Sequence, residues 1–305
     1  MIETYRVADY ISDFIEQIGV KNVFLLPGGG AMHLVDAVGK NDNIEVVACL
    51  HEQAAAISAE AYSRISENIG VAMVTTGPGA TNAITAVAGA WIESVPLIII
   101  SGQCKRSDML RDSPLRQKGV QEVDIVKMVK SITKFSIIVE NPEDIRSVME
   151  QAYHIAKDGR AGPVWIDVPL DVQGAPVVTK DLLPWGREDV DLVKIKTISI
   201  KTIQNIKDLI NGAKRPLILA GHGIRLANSA EAFREWVEEL GVPVVSTWNA
   251  LDLLPYDHPL YVGRPGVVAL RGPNFAVQNC DLLISIGCRL DNIITAYNSK
   301  GFARE

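Results

Sequence analysis

The chain has 305 residues; 48% of them are hydrophobic, 22% are charged, and the formal net charge is −6. This is the composition of a globular protein, and it excludes the disordered and fibrous classes. The negative charge argues against a general affinity for nucleic acid or for anionic membranes, so neither is expected as a partner.

The cysteines and the N-terminus give no sign of export. The four cysteines show no CxxC pairing and no histidine at zinc spacing, so no metal site is predicted from them. The N-terminal segment has no apolar signal core, and the longest apolar stretch, at 95–100, is too short to span a bilayer. We therefore expect a soluble protein in the reducing cytoplasm.

Short runs rich in Val and Ile alternate with segments of helical period, which is the pattern of βα units on a parallel sheet. A first helix ends at Gly19. Helices are then predicted at 31–39, 52–65 and 80–91, and strands at 22–26, 44–49, 70–76, 96–101, 134–139 and 163–168. Together they predict an α/β domain over residues 1–172, with a parallel six-stranded sheet flanked by helices.

The composition and periodicity of the sequence change after this domain. Residues 173–197 combine Pro, Gly and charges without a clear period, which predicts a linker. A second α/β series fills residues 198–305, with helices at 200–211 and 227–240 and strands at 215–221, 243–247 and 281–287. The series stops where another βα unit is expected, so we interpret it as an incomplete, Rossmann-like central domain that is truncated.

Two glycine-rich turns end strands of the first sheet, Pro-Gly-Gly-Gly at 27–30 and Gly-Pro-Gly-Ala at 77–80. Ligands of open α/β sheets bind at this edge, where glycine permits close approach of the backbone and a helix N-terminus presents amide donors. Plain strand-to-helix turns have the same composition, so each turn alone is a weak signal. Neither turn fits a dinucleotide fingerprint or a Walker loop.

Glu52 directly follows the second strand and opens an Ala-rich helix. An acidic residue in the first turn of a helix is also favoured by the helix dipole alone. Because Glu52 and both glycine turns lie at the same sheet edge, we interpret Glu52 as a site residue.

Four blocks of the first domain together resemble one family: HEQAAAISAEAYSR, VTTGPGATNAITAVAGAWIESVPLIIISGQ, VQEVDIVKMVKSITKF and GRAGPVWIDVPLDVQ. In this order they are similar to the pyrimidine-binding domain of thiamine-diphosphate enzymes of the acetolactate synthase family. Weaker similarity continues through PLILAGHG, HPLYVG and CDLLISIGCRLDN. The resemblance implies thiamine diphosphate as cofactor, decarboxylation of a 2-keto acid such as pyruvate, and carboligation of the two-carbon unit to a keto acceptor.

The resemblance also implies roles for individual residues. Glu52 matches the glutamate that hydrogen-bonds N1′ of the aminopyrimidine ring, and Gln121 matches a glutamine beside the reacting centre. His33 would face the acceptor substrate. A structural histidine and, for Gln121, a surface amide before a helix stay open as alternatives. The implied cofactor-binding residues, besides Glu52, are Pro27, Gly28, Gly29, Thr76, Gly77, Pro78 and Asn82.

Two positions and one segment differ from the usual sequence of the family. The two positions would line the acceptor side of the site. Leu26 stands where the family usually has Tyr, and Val120 replaces the Phe before Gln121. The segment RDSPLRQKGVQE is similar instead to thiamine enzymes of surface-polysaccharide synthesis. A keto-sugar acceptor, met by the basic residues of this segment, is therefore an alternative, as is an ordinary exposed basic loop.

Family members also have a third domain, which binds magnesium and the diphosphate, and no such motif occurs here. The resemblance therefore implies that this chain supplies half of a site, with a homodimer or a partner chain bearing the diphosphate-binding domain. The sequence segment that usually contacts the flavin is replaced here by GRPGVVALRGPN, so whether a structural FAD is bound stays open. A simple 2-keto acid decarboxylase and an inactive or regulatory homologue also stay open as functions.

Overall fold

A computed structural model describes residues 5–66, 68–186 and 197–304. The chain divides into two compact units, Met1–Ile195 and Lys196–Glu305. The predicted domain boundaries at residues 172 and 198 stay predictions, and the part of the predicted linker at 187–196 lies outside the described residues.

The first unit alternates strands and helices as predicted. Its strands are β1 Asn22–Leu25, β2 Glu45–Ala48, β3 Gly70–Val74, β4 Leu97–Gln103, β5 Phe135–Ile138 and β6 Pro163–Pro169. Its helices are α1 Val7–Gln17, α2 Met32–Lys40, α3 Glu52–Ser66, α4 Pro78–Asn82, α5 Ile84–Glu93, α6 Ile125–Val129, α7 Ile145–Lys157 and α8 Leu170–Gln173.

The six strands form one parallel sheet in the order β2-β1-β3-β4-β6-β5. The central strands β3, β4 and β6 are buried along their whole length, which explains their uninterrupted apolar sequences. Ile98 and Ile100 belong to one buried cluster and Leu97 and Ile99 to another, so alternate side chains of β4 fill the cores on the two faces. The predicted α/β class and the parallel six-stranded sheet are confirmed.

The Ala-rich helix α3 packs unusually close to the sheet because its inward side chains are small. Besides Glu52, its buried residues are Ala55, Ala56, Ala59 and Ser63. A Cβ atom added to Gly70, the first residue of β3, would overlap the carbonyl group of Ala59. This contact fixes α3 over β3 and so fixes the position of Glu52 at the sheet edge.

The segment after β6 packs on the first unit. The backbone N–H of Val7 donates to the carbonyl oxygen of Ala175 at 3.0 Å, and that of Val177 donates to Tyr5 at 3.0 Å. Leu182 is 3% exposed and belongs to the core of this unit. The described beginning of the predicted linker is therefore part of the packed structure of the first unit.

The second unit is also α/β, with the four-stranded parallel sheet β10-β7-β8-β9. Its strands are β7 Pro216–Ala220, β8 Val244–Ser246, β9 Tyr261–Gly263 and β10 Leu282–Ile286. Its helices are α9 Ile200–Gly212, α10 Gly223–Leu226, α11 Ala230–Leu240 and α12 Arg271–Asn279. The prediction of a second α/β domain is confirmed.

Some predicted elements were wrong or missing. The helix expected at 80–91 is two helices: α4 begins earlier, at Pro78, and Ala83 interrupts the helix before α5. Proline suits the first turn of a helix because its fixed φ is helical and no N–H is needed there. The three-residue strand β9 and the helices α6, α7, α8, α10 and α12 were not among the predicted elements. Across the residues that the structure describes, none of the helices combines the length and apolar character needed to cross a membrane.

Candidate active site

The strand order places a topological switch point between β1 and β3. The chain adds β2 on one side of β1 and β3 on the other, so a crevice opens at the carboxyl ends of these strands. The glycine turns at 27–30 and 77–80 follow β1 and β3, and Glu52 follows β2. The topology therefore brings all three predicted features to one edge, as the sequence indicated.

Glu52 is the first residue of α3 and is only 8% exposed. Its Oε2 atom accepts a hydrogen bond of 2.8 Å from the side-chain amide of Asn82, the last residue of α4. The other oxygen, Oε1, lies against Gly79: a Cβ atom there would be 3.0 Å from Oε1 and 2.6 Å from Cγ2 of Thr75, so the close packing requires glycine. A carboxylate that accepts a hydrogen bond from a ligand nitrogen can share a proton with it.

The start of α3 is capped by His51. Its Nδ1 atom accepts a hydrogen bond of 3.1 Å from the backbone N–H of Gln53, the role that Ser or Asp usually has at this position. Its carbonyl oxygen accepts from the N–H of Ala55 at 3.0 Å. His51 thus stabilises the helical turn that carries Glu52.

The first glycine turn has two crowded positions, Gly28 and Gly30, and one open position, Gly29. A Cβ atom on Gly28 would overlap the side chain of Thr75, whereas one on Gly29 would meet no atom within 4 Å. Pro27 is exposed. The N–H of Gly30 donates to Oγ1 of Thr75 at 3.1 Å. Thr75, which the sequence did not single out, therefore links this turn to the end of β3.

The second turn contacts the segment that carries Gln121. Gly77 has a φ of +61°, and a Cβ atom there would overlap the carbonyl oxygen of Gln121. Gln121 has a φ of +59°, a left-handed conformation that is uncommon for a residue with a side chain. Thr76 is 2% exposed, and its Oγ1 has no hydrogen-bond partner within the described part of the chain. Such an unpaired buried hydroxyl is a candidate donor to a bound group.

Ion pairs fasten the segment 104–124, which carries Gln121, to the rest of the unit. Nε of Arg106 lies 2.7 Å from Oδ2 of Asp171, and its NH1 donates to the carbonyl oxygen of Glu140 at 2.7 Å. Arg111 donates two hydrogen bonds of 2.7 Å to the carboxylate of Glu140. These hydrogen bonds from Arg111 hold the pKa of Glu140 below its usual range.

A fully buried polar network lies under the same segment. Oγ of Ser101 donates to Asp167 at 2.5 Å and accepts from the indole N–H of Trp165 at 2.8 Å. The side-chain amide of Gln103 donates to Asp167 at 2.9 Å and to the carbonyl oxygen of Val123 at 3.0 Å. Burial raises the pKa of Asp167 to about 7. The network joins β4 and β6 to the backbone two residues beyond Gln121.

His33 packs against the segment that follows α8. A Cβ atom on Gly174 would lie 3.1 Å from Nε2 of His33, so the half-buried ring packs on the chain just after α8. The neighbouring side-chain amide of Gln173 donates to the carbonyl oxygens of Gly30 and Val168, at 2.7 and 2.8 Å. This environment gives His33 a packing role, and its contact with substrate stays a prediction.

Exposed apolar side chains surround the candidate site. Leu50, two residues before Glu52, is 99% exposed, and Val120, before Gln121, is 81% exposed. The contacting helices α3 and α5 expose Ile57 and Ile92. Large contiguous apolar patches mark contact with another molecule, whereas single exposed apolar side chains are common on protein surfaces.

Comparison with known protein families agrees with this geometry. Residues 5–128 match the family described as thiamine pyrophosphate enzyme, N-terminal TPP binding domain. Residues 203–305 match the family described as thiamine pyrophosphate enzyme, central domain. Each matched range falls within one of the two structural units.

Curated relatives are similar over nearly the whole chain. The acetolactate synthase isozyme 1 large subunit of Escherichia coli is 37% identical over 285 residues, which cover 93% of this chain and 49% of that protein. The isozyme 2 large subunit of the same organism is 34% identical over 288 residues, 94% of this chain and 50% of that protein. The probable acetolactate synthase large subunit of Methanocaldococcus jannaschii is 36% identical over 290 residues, 94% and 48% respectively. The chain thus spans about half the length of these relatives.

Proposed function

Because this chain belongs to the thiamine pyrophosphate enzyme family, we propose that it supplies the pyrimidine half of the active site of an acetolactate synthase-like carboligase. The observation that carries the proposal is the buried carboxylate of Glu52 at the switch point, with one oxygen held by Asn82 and the other facing Gly79. The acetolactate synthase relatives support the class of reaction.

The residues present fit the pyrimidine end of thiamine diphosphate. Glu52 is a buried carboxylate that can accept a hydrogen bond from a ring nitrogen, and the buried hydroxyl of Thr76 has no partner among the described residues. When bound, the cofactor supplies an electron sink for decarboxylating a 2-keto acid and for forming a carbon–carbon bond. In this proposal Glu52 holds the proton at N1′, and Asn82 orients Glu52.

We assign the acceptor side to Gln121 and its exposed neighbour Val120. The contact between Gln121 and Gly77 brings this segment to the pyrimidine turn. The keto-sugar alternative has less support, because two of the basic side chains proposed to bind the sugar make hydrogen bonds within this chain. Arg111 pairs with Glu140, and Nζ of Lys118 donates to the carbonyl oxygen of Ser107.

We propose that a second chain completes the site, either another copy of this chain in a homodimer or a partner that bears the diphosphate-binding part. The exposed Leu50, two residues before Glu52, and Ile57, on the same helix as Glu52, are candidates for the apolar contact surface. Magnesium is expected to come with the diphosphate-binding part. Among the described residues, no group of three or more acidic, His or Cys side chains is arranged to hold a metal ion.

FAD in the second unit remains an expectation from the family resemblance. At the carboxyl ends of β7 and β10, a Cβ atom on Gly223 would lie 2.7 Å from the carbonyl oxygen of Gly287. The glycines there serve close contact between two backbone segments, so they do not by themselves argue for a flavin.

The test is product analysis by mass spectrometry. The chain, together with the segment or partner that completes the site, is given thiamine diphosphate, magnesium and pyruvate. Acetolactate that is lost in Glu52→Gln supports the proposal. Free acetaldehyde or acetate as the sole product supports a decarboxylase or oxidase instead, and product formation only after addition of a keto sugar supports the polysaccharide alternative. No turnover with any acceptor supports an inactive or regulatory homologue.

A further inference from the structure

Thr75, the first residue after β3, lies where the two glycine turns meet. Its hydroxyl oxygen accepts the hydrogen bond of 3.1 Å from the N–H of Gly30 in the first turn. Its methyl carbon Cγ2 would lie 2.6 Å from a Cβ atom on Gly79 in the second turn. A Cβ atom on Gly28 would overlap the same side chain. One threonine therefore contacts both turns, each through a different branch.

These contacts continue to Glu52. The Cβ direction of Gly79 faces Cγ2 of Thr75 at 2.6 Å and Oε1 of Glu52 at 3.0 Å, so the methyl group and the carboxylate lie against the same backbone position. A β-branched side chain has few χ1 rotamers, and rotation of Thr75 would break its contacts with both turns together. Gly30 also packs on Thr76 and is hydrogen-bonded by Gln173, but among these contacts it is Thr75 that reaches both Gly28 in the first turn and Gly79 beside Glu52.

We propose that Thr75 is a positioning residue that fixes the two glycine turns relative to each other and, through Gly79, fixes Oε1 of Glu52. The inference rests on the proposed function for its effect on catalysis. The predicted effect of Thr75 on the two turns concerns this chain alone and does not depend on that function.

Two substitutions test the hydroxyl group and the methyl group of Thr75 separately. Thr75→Val keeps the shape but replaces the hydroxyl acceptor of the Gly30 N–H by a methyl group. Thr75→Ser keeps the acceptor but removes the methyl group that packs against Gly79. Thr85→Val, at an exposed position of α5, is the matched control for replacing a threonine by valine.

The first measurement uses the full chain without cofactor, by NMR. Hydrogen exchange of the Gly30 amide is expected to be about fivefold faster in Thr75→Val, the factor that corresponds to one net hydrogen bond. It is expected to be unchanged in Thr75→Ser and Thr85→Val. The side-chain amide signals of Asn82, which report on Glu52, are expected to shift in Thr75→Ser. An unchanged Gly30 exchange rate in Thr75→Val, or unchanged Asn82 signals in Thr75→Ser, would overturn the proposal.

The second measurement uses the completed enzyme. Both Thr75 variants are expected to lower kcat by about tenfold with little change in the KM for the 2-keto acid, since misplacing a catalytic group affects the transition state more than substrate binding. An unchanged kcat in both variants would overturn the positioning role. A wild-type enzyme without turnover would count against the proposed function, and the exchange and Asn82 results would then decide whether Thr75 links the turns.

Discussion

The side-chain amide of Asn82 donates a hydrogen bond of 2.8 Å to Oε2 of Glu52, thirty residues earlier in the chain. This bond joins the end of α4 to the start of α3 across the switch point of the sheet. The other carboxylate oxygen, Oε1, lies against Gly79. The carboxylate is therefore oriented by the hydrogen bond from Asn82 at one oxygen and by packing on Gly79 at the other.

Asn82→Ala is expected to lower kcat about 10- to 100-fold, because a hydrogen bond to a charged group contributes about 1.5–3 kcal/mol. Steady-state kinetics of the completed enzyme measures the effect. In a Glu52→Gln background the same substitution should add little, since the two residues act as a unit. Full additivity of the two effects would show that Asn82 acts by another route.

Gly28 and Gly29 are expected to respond differently to alanine. Gly28→Ala should destabilise the protein by about 1–3 kcal/mol, the usual cost of overpacking, because the new methyl group overlaps Thr75. Gly29→Ala should change stability by no more than about 0.5 kcal/mol, since nothing lies within 4 Å of its Cβ position. Urea denaturation measures both. Equal destabilisation by the two variants would contradict the geometry of the first turn.

Asp167 should give the protein a component of stability that falls with rising pH. Burial raises its pKa from 3.8 to about 7 in the folded protein, so between these values the folded state binds a proton that the unfolded state has released. The free energy of unfolding from this group therefore decreases as the pH rises from about 4 to about 7.

Asp167→Asn should remove this component. The variant's free energy of unfolding, measured in urea at several pH values between 4 and 7, should depend less on pH than that of the wild type. Asp124, which also raises the pKa of Asp167, is the other carboxyl group at this network, and Asp124→Asn should lower the pKa modestly. A steeper pH dependence in Asp167→Asn would contradict the assignment.

Arg111→Ala tests whether the basic segment binds an acceptor or only holds its own loop. Arg111 and Glu140 are half-exposed, so loss of their pair should cost at most about 1 kcal/mol. Because Arg111 is engaged with Glu140, the KM for the acceptor should not change. Arg116→Ala is the control from the same segment. A large rise in the KM of a phosphorylated or sugar acceptor in Arg111→Ala alone would favour the keto-sugar alternative.

The sequence predicted the first sheet well because its central strands β3, β4 and β6 are buried on both faces. Such strands appear as continuous Val and Ile runs, as at 97–100 and 70–74, and they are bounded by Gly and Pro. In the second unit, β9 has only three residues, and α12 begins with Arg-Gly-Pro-Asn, which is typical of a turn. Neither element has a local pattern long enough to be recognised.

The site was predicted in part, for a related reason. Glu52 and both turns could be placed at one edge because the carboxyl ends of parallel strands meet there. The link through Thr75 joins residues 45 positions apart, and nothing in the local sequence distinguishes this threonine from Thr76 beside it. The packing of His33 on Gly174 likewise depends on where the chain runs after β6. Contacts between distant segments are set by the fold, which local patterns do not specify.

The most direct test of the account is the rate of carbon dioxide release from pyruvate by the completed enzyme, for the wild type and for Glu52→Gln. Glu60→Gln, on the same helix, is the matched control, because Glu60 pairs with Arg64 away from the site. We expect Glu52→Gln to lower the rate about 10²- to 10⁴-fold, the usual effect of removing a general acid–base group. We expect Glu60→Gln to keep the wild-type rate. A wild-type rate in Glu52→Gln would contradict the central role of this carboxylate.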